Sequence, residues 1–198
     1  MKILIATNNP AKYKLVVALL NETSLRKYVF VSPTDLGISL KVQETGSLRN
    51  RALSKAIVAS KLVKNMPDAD EVAYFVGIDD GIRFDKHKKT YSDSKMATDR
   101  ILKGGNINIG DNITIVRAFG FADQKGNVST CISRVPMVYL GDQKKVKREE
   151  GAYPLEYVLA YKGQQKPIKQ LEQDDKNIQN QKYMLKTISK TIDAFLDM

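Results

Sequence analysis

Ile3-Leu4-Ile5-Ala6-Thr7-Asn8-Asn9-Pro10-Ala11-Lys12 is the stretch whose reading decides the fold. Ile3 to Ala6 is a short, continuous apolar run, the pattern of a buried strand. It stops at Thr7 to Lys12, a cluster of turn and helix-cap residues. Leu15, Val16, Ala18, Leu19 and Leu20 then recur at helical spacing. Strand, polar turn, helix is the arrangement that sets backbone N–H groups and a helix N-terminus at the end of a sheet, where anions bind.

The same alternation continues outward. Tyr28 to Val31 reads as a second strand, ended by Pro33. A helix is predicted from Ser47 to about Lys64, with Leu48, Ala52, Ala56, Ala59 and Val63 on one face and Pro67 marking the exit. Val72 to Ile78 is the strongest buried-strand candidate and ends in Asp79-Asp80-Gly81, with Ile82 to Phe84 continuing as a strand or hairpin. Ser94 to Leu102 reads as a short helix. Two β segments follow, Ile113 to Ala122 and Val128 to Leu140, around the turn Gln124-Lys125-Gly126-Asn127. Tyr153 to Tyr161 is a further strand candidate. From Asp174 onward the chain is predicted helical, striped by Met184, Leu185, Ile188, Ile192, Phe195 and Leu196. No internal repeat or low-complexity segment interrupts this order. The expected fold class is α/β, with a central twisted sheet flanked by helices in a single elongated domain spanning 1–198.

Composition narrows the function. The chain has 198 residues, and its 32 Lys and Arg against 22 Asp and Glu leave a formal charge of 32 − 22 = +10. At this length roughly 70% of the unfolded surface can be buried. Cys131 is the single cysteine, which excludes a disulfide framework and a Cys-rich zinc site. His87 is the single histidine and lies in Lys86-His87-Lys88-Lys89, a solvated loop by composition, so Ser-His-Asp chemistry is disfavoured. No apolar run reaches the ~18 residues of a membrane span, and the apolar N-terminal run is too short for a signal peptide. A cytoplasmic protein without a membrane partner is expected. The positive charge points to a polyanionic partner without choosing its kind.

Three polar clusters fall where chemistry can sit. Thr7, Asn8, Asn9 and Lys12 follow the first strand. A lysine beside helix-start donors suits phosphate oxygens, and an ordinary helix cap fits equally well. Glu44-Thr45-Gly46 precedes the long helix; Glu44 is a hard oxygen ligand, and a plain loop with an N-cap is the alternative. Asp79-Asp80-Gly81 sets two carboxylates side by side. Such a pair is commonly kept together by a cation or by backbone donors, and a simple β-turn is the alternative. Together the clusters favour a Mg²⁺-nucleotide site, with lysines on phosphate, carboxylates on metal and glycines allowing close approach. Lys144-Lys145-Val146-Lys147-Arg148 runs straight into Glu149-Glu150 and reads as a solvated loop, so a nucleic-acid partner is not expected.

The order of these segments resembles the inosine triphosphate pyrophosphatase superfamily. Ala6-Thr7-Asn8-Asn9-Pro10-Ala11-Lys12 is similar to its N-terminal A-T-x-N-x-x-K loop. Glu44-Thr45-Gly46 with Ala52, Lys55 and Ala56 is similar to E-T-G…A-x-x-K-A, and Gly77 to Asp85 to A-D-D-S-G-L-x-V-D. Arg117-Ala118-Phe119 matches the start of a core strand. Leu171, Asp174, Asp175, Lys176, Asn177 and Ile178 resemble the segment before a family Ser-His-Arg. Ser47 to Ala52 and Met66 to Asp70 resemble the inosine/xanthosine triphosphatase branch. The chain departs from the pattern at Ile78, where the family has Asp, at Asp80, where it has Ser, and at Asn180-Gln181, where it has His-Arg. Gly151-Ala152-Tyr153-Pro154 stands at the base-recognition segment.

The resemblance implies an elongated two-lobed fold with a mixed sheet and a nucleotide cleft between lobes, Mg²⁺ as cofactor and a homodimer. It implies Asp79 as catalytic carboxylate and metal ligand and Glu44 as metal ligand. In the expected mechanism Glu44 and Asp79 hold the metal with Asp80 assisting, either Asp79 or Asp80 activates the water, and Lys12 and Lys176 stabilise charge on the phosphates. Thr7, Asn8, Asn9, Lys12 and Lys176 would contact the nucleotide, with Tyr153, Asn180 and Gln181 toward the base. The expected activity is Mg²⁺-dependent hydrolysis of deaminated purine nucleoside triphosphates (ITP, dITP, XTP) to monophosphate and pyrophosphate. The alternatives are cleavage at the β–γ bond, or nucleotide binding without catalysis.

Overall fold

The computed structural model describes residues 1–43, 45–91, 107–141 and 154–198. The expected helix at Ser94 to Leu102 and the basic run at Lys144 to Arg148 therefore lie outside the described residues.

Strand β1 (Lys2–Ala6) has no exposed surface from Ile3 to Ala6. It lies between β2 (Val29–Val31) and β3 (Val72–Phe84), parallel to both, with Leu4 opposite Phe75 and Ala6 opposite Gly77. Strand β4 (Lys89–Tyr91) pairs antiparallel with the far end of β3. With β5 (Asn112–Asp123), β6 (Val128–Tyr139) and β7 (Leu159–Tyr161), the sheet order is β2-β1-β3-β5-β6-β7, and β7 runs antiparallel to β6. The sheet is thus mixed. The described helices are α1 (Pro10–Leu20), α2 (Leu48–Val63) and α3 (Gln173–Leu196).

The chain divides into two compact units. One comprises Met1–Asp79, Arg117–Ser133 and Gln181–Met198; the other comprises Asp80–Val116 and Arg134–Asn180. In the first unit, α2 buries Ala56, Ala59 and Val63 in a core with Leu4, Val72, Phe75 and Ala122, and Ala52 on the same helix is buried as well. Each fully buried large aliphatic or aromatic side chain contributes about 1.5–3 kcal/mol. Two glycines let α2 come close. A Cβ on Gly77 of β3 would stand 2.0 Å from the Ala52 carbonyl oxygen, and one on Gly120 of β5 would stand 2.5 Å from Leu53 Cα. The helix backbone therefore occupies the space where side chains would otherwise stand. Along α3, Met184, Ile188, Ile192 and Phe195 are buried at helical spacing, while Leu196 at the predicted stripe's end is exposed. The Phe195 ring centroid lies 5.8 Å from that of Tyr74 and 6.1 Å from that of Phe121.

Ser47 starts α2 as the sequence predicts: its extended backbone and its hydroxyl, which accepts from Asn50 N at 3.2 Å, cap the helix. Ser47→Ala leaves that amide without its side-chain partner. A loss of ~1 kcal/mol is expected from urea unfolding curves.

In the second unit, Thr114 Oγ1 donates to the Asp85 carboxylate at 3.0 Å, and Tyr157, Val158 and Leu159 are buried. Two sequence expectations need correction. Strand β3 does not end at Ile78: it passes through Asp79-Asp80-Gly81 to Phe84 without a turn. The low strand preference of Asp and Gly is outweighed by the packing and ion pairs described below. The strand candidate at Tyr153 to Tyr161 is, in its described part, a 3₁₀ turn over Pro154–Tyr157 followed by the short β7. Proline suits the start of a helical turn and cannot donate to a ladder.

Candidate functional site

The site begins at the turn after β1. Thr7 is buried and its hydroxyl accepts from Asn9 N at 3.2 Å. Asn9 caps α1, its Oδ1 accepting from Ala11 N at 2.9 Å and Lys12 N at 3.2 Å. Asn8 donates through Nδ2 to the Leu40 carbonyl at 3.1 Å, tying the turn to the segment that approaches α2. These three polar side chains therefore build the turn. The product of that building is the position of Lys12 in the first turn of α1.

Gly77 and Asp79 share one face of β3, because side chains two apart on a strand point the same way. Gly77 admits α2, and Asp79 then meets the side chains of that helix. Asp79 is only 3% exposed. Its Oδ2 lies 2.6 Å from Arg51 Nε, and its Oδ1 lies 3.1 Å from Lys55 Nζ and 3.7 Å from Lys12 Nζ. Lys55 Nζ also reaches the Ile78 carbonyl at 3.4 Å, so it bridges backbone and carboxylate. The Arg51 Nε–H is not aligned on Oδ2, so that contact is a charge pair and not a full hydrogen bond. Arg51 is itself buried, at 8% exposure.

Arg51 and Lys55 were not among the residues proposed for the site from sequence. A signal was present: the two cations are one helical turn apart and flank Ala52 and Ala56, the small residues of the buried face. Cations beside the apolar stripe of a helix face a neighbouring element. What that element offers is not visible in the helix itself.

Asp80 needs correction as a partner of Asp79. The uninterrupted strand turns consecutive residues to opposite faces, so Asp80 and Ile78 point away from the face that Asp79 presents to α2. The reading of two paired carboxylates at a strand end is replaced by one carboxylate held among three cations. Glu44 and Tyr153 lie outside the described residues. Lys176 stands half-buried near the start of α3, and Gln181 is half-buried further along it. Asn180 is buried, and its Oδ1 accepts from the Tyr161 hydroxyl at 3.2 Å, a bond that anchors α3 to β7 within the second unit. Cys131 is buried, and that burial pushes its thiol pKa upward, which does not suit a nucleophile.

Of the residues expected to hold Mg²⁺, Glu44 lies outside the described residues, while Asp79 and Asp80 lie within them. A hard divalent ion takes carboxylate oxygens into its own oxygen shell. Both Asp79 oxygens face Arg51, Lys55 or Lys12 instead. No group of three His, Cys, Asp or Glu side chains able to hold a metal occurs among the described residues. What the arrangement offers is a buried carboxylate with guanidinium and ammonium groups close by, delivered from α1 and α2 to one point. That chemistry suits phosphate oxygens.

No family model matches the chain, and no curated protein matches it in sequence. Solved structures do match in three dimensions. A nucleoside-triphosphatase / dITP/XTP pyrophosphatase from Mycobacterium abscessus is similar with a TM-score of 0.56 at 20% identity, over 90% of this chain and 92% of that one. The Ham1 protein of Staphylococcus aureus is similar with a TM-score of 0.62 at 16% identity, over 100% of this chain and 98% of that one. The chain has the fold of the Ham1 proteins. A HAM1 protein from Coxiella burnetii agrees, with a TM-score of 0.62 at 13% identity over 96% of this chain and 97% of that one. The Ham1 fold is thus kept across nearly the whole length while the sequences have diverged widely. The α/β class read from the strand and helix periods is that of these structures. No described helix is long and apolar enough to cross a membrane.

Proposed function

We propose that the protein hydrolyses nucleoside triphosphates, preferring deaminated purine nucleotides such as ITP, dITP and XTP, and releases pyrophosphate. One observation carries the reading: Lys12, Arg51 and Lys55 converge on the buried carboxylate of Asp79 in a chain with the Ham1 fold. The cations neutralise phosphate oxygens on binding and the charge that builds on the departing pyrophosphate. Asp79 orients the attacking water and accepts its proton. Triphosphates in neutral solution with magnesium are bound largely as Mg²⁺ complexes, so Mg²⁺ enters this reading with the substrate. A homodimer belongs to the same reading and is checked by sedimentation.

The test is a panel of standard and deaminated nucleoside triphosphates with Mg²⁺, reading pyrophosphate and orthophosphate separately. Pyrophosphate from ITP, dITP or XTP is the expected result. Orthophosphate alone would move cleavage to the β–γ bond. A second reading, a nucleotide binder without turnover, is favoured by the engagement of both Asp79 oxygens. It predicts silence across the panel together with measurable affinity for a non-hydrolysable ITP analogue.

A further inference from the structure

The candidate site draws on Lys12, Arg51 and Lys55, and most of the excess charge of +10 stands elsewhere. Part of it forms a row on α3. Met184, Ile188 and Ile192 are fully buried and mark the inner face of that helix. Lys182, Lys186 and Lys190 stand four residues apart on its opposite, exposed face. At 1.5 Å per residue the row is about 12 Å long, with about 6 Å between neighbours. All three lysines belong to the first compact unit. From Lys176 to Ile192 the helix carries no Asp or Glu. Asp193, one turn beyond Lys190, accepts from Ser24 Oγ at 3.3 Å. Among the described residues, none of the three ammonium groups is in an ion pair. Like charges at this spacing weaken a helix, and exposed helices commonly mix both signs. A partner that brings negative charge along the row replaces repulsion with attraction.

Two features choose the partner. The charges lie on a line with an even step, which fits a chain of phosphates better than the scattered carboxylates of a folded protein or a plane of lipid headgroups. Tyr183 lies beside the row, half-buried, its ring centroid 5.3 Å from Lys182 Nζ. Bases stack on such rings, and a single strand is the form whose bases are free to do so. We propose that the outer face of α3 binds single-stranded nucleic acid, with Lys182, Lys186 and Lys190 on successive phosphates and Tyr183 against a base. The proposal is independent of the triphosphate reading, because none of these four residues belongs to the Asp79 cluster.

Fluorescence anisotropy with a short labelled oligothymidylate, in EDTA at several salt concentrations, tests it. Three phosphate contacts on a single strand give a log–log salt slope of about −2. The triple variant Lys182→Gln, Lys186→Gln, Lys190→Gln should bind at least ~10-fold more weakly at low salt and lose most of that slope. Lys186→Gln alone should reduce the slope by about 0.7, which keeps the test open if the triple variant does not fold by circular dichroism. The control removes Lys61, Lys64 and Lys125, exposed lysines elsewhere in the first unit, and has the same formal charge of 10 − 3 = +7. It should bind within a few-fold of wild type. Equal losses in the two triple variants would show that net charge alone acts and would overturn the proposal, as would no binding by wild type at low salt. Tyr183→Leu keeps an apolar side chain and loses the stacking face, so binding should weaken by ~5-fold or more. Unchanged binding there overturns the single-strand assignment, since lysines alone fit a duplex backbone as well. Vesicles containing phosphatidylserine, bound through the same three lysines in place of the oligonucleotide, would assign the face to a membrane surface and overturn the proposal.

Discussion

Asp79→Asn is expected to lower turnover of the best triphosphate by at least ~100-fold, the effect of removing a positioned general base. The substitution preserves volume and keeps a polar group opposite Lys55, so the variant should fold. Its amide cannot accept a proton from water, and it no longer carries the charge that Arg51, Lys55 and Lys12 surround. Pyrophosphate release at saturating substrate is the measurement, with circular dichroism as the check on folding. Turnover within a few-fold of wild type would remove Asp79 from the chemistry.

Gly77→Ala is expected to cost at least ~3 kcal/mol in urea unfolding, or to prevent folding. Its Cβ would stand 2.0 Å from the Ala52 carbonyl oxygen and 3.0 Å from Ala56 N, both on the backbone of α2. Backbone atoms cannot swing aside as a side-chain tip can, so either the helix or the strand has to shift. Overpacking in a dense interior commonly costs 1–3 kcal/mol, and contact with backbone belongs at or beyond the upper end. A second readout follows from the position of Gly77 on the face that carries Asp79. A displaced α2 draws Arg51 and Lys55 away, so any folded Gly77→Ala protein should bind tripolyphosphate more weakly than wild type. Stability and binding near wild type would show that α2 does not depend on this close approach.

Much of the architecture is legible from local pattern. The apolar run Ile3 to Ala6, the cap chemistry of Asn9 and Ser47, and the 3.6-residue spacing along α2 and α3 each act over a few residues, and each appears where the sequence puts it. Asp79-Asp80-Gly81 does not follow its local pattern. Read locally it is a turn, because short polar residues and glycine prefer turns. In the protein it is mid-strand, because Gly77 and Gly120 admit a helix whose cations hold Asp79 in place.

The sequence by itself determined the α/β class and the span of the main elements, since these rest on periodicity and capping along neighbouring residues. Only the tertiary structure decided that Asp79 stands apart from Asp80, that Asn180 bonds Tyr161 between α3 and β7, and that Arg51 and Lys55 stand against Asp79. The physical reason is distance along the chain: Lys55 and Asp79 are 24 residues apart. An ion pair across that separation leaves no periodic trace in either segment. It forms only when packing at two glycines has brought helix and strand together.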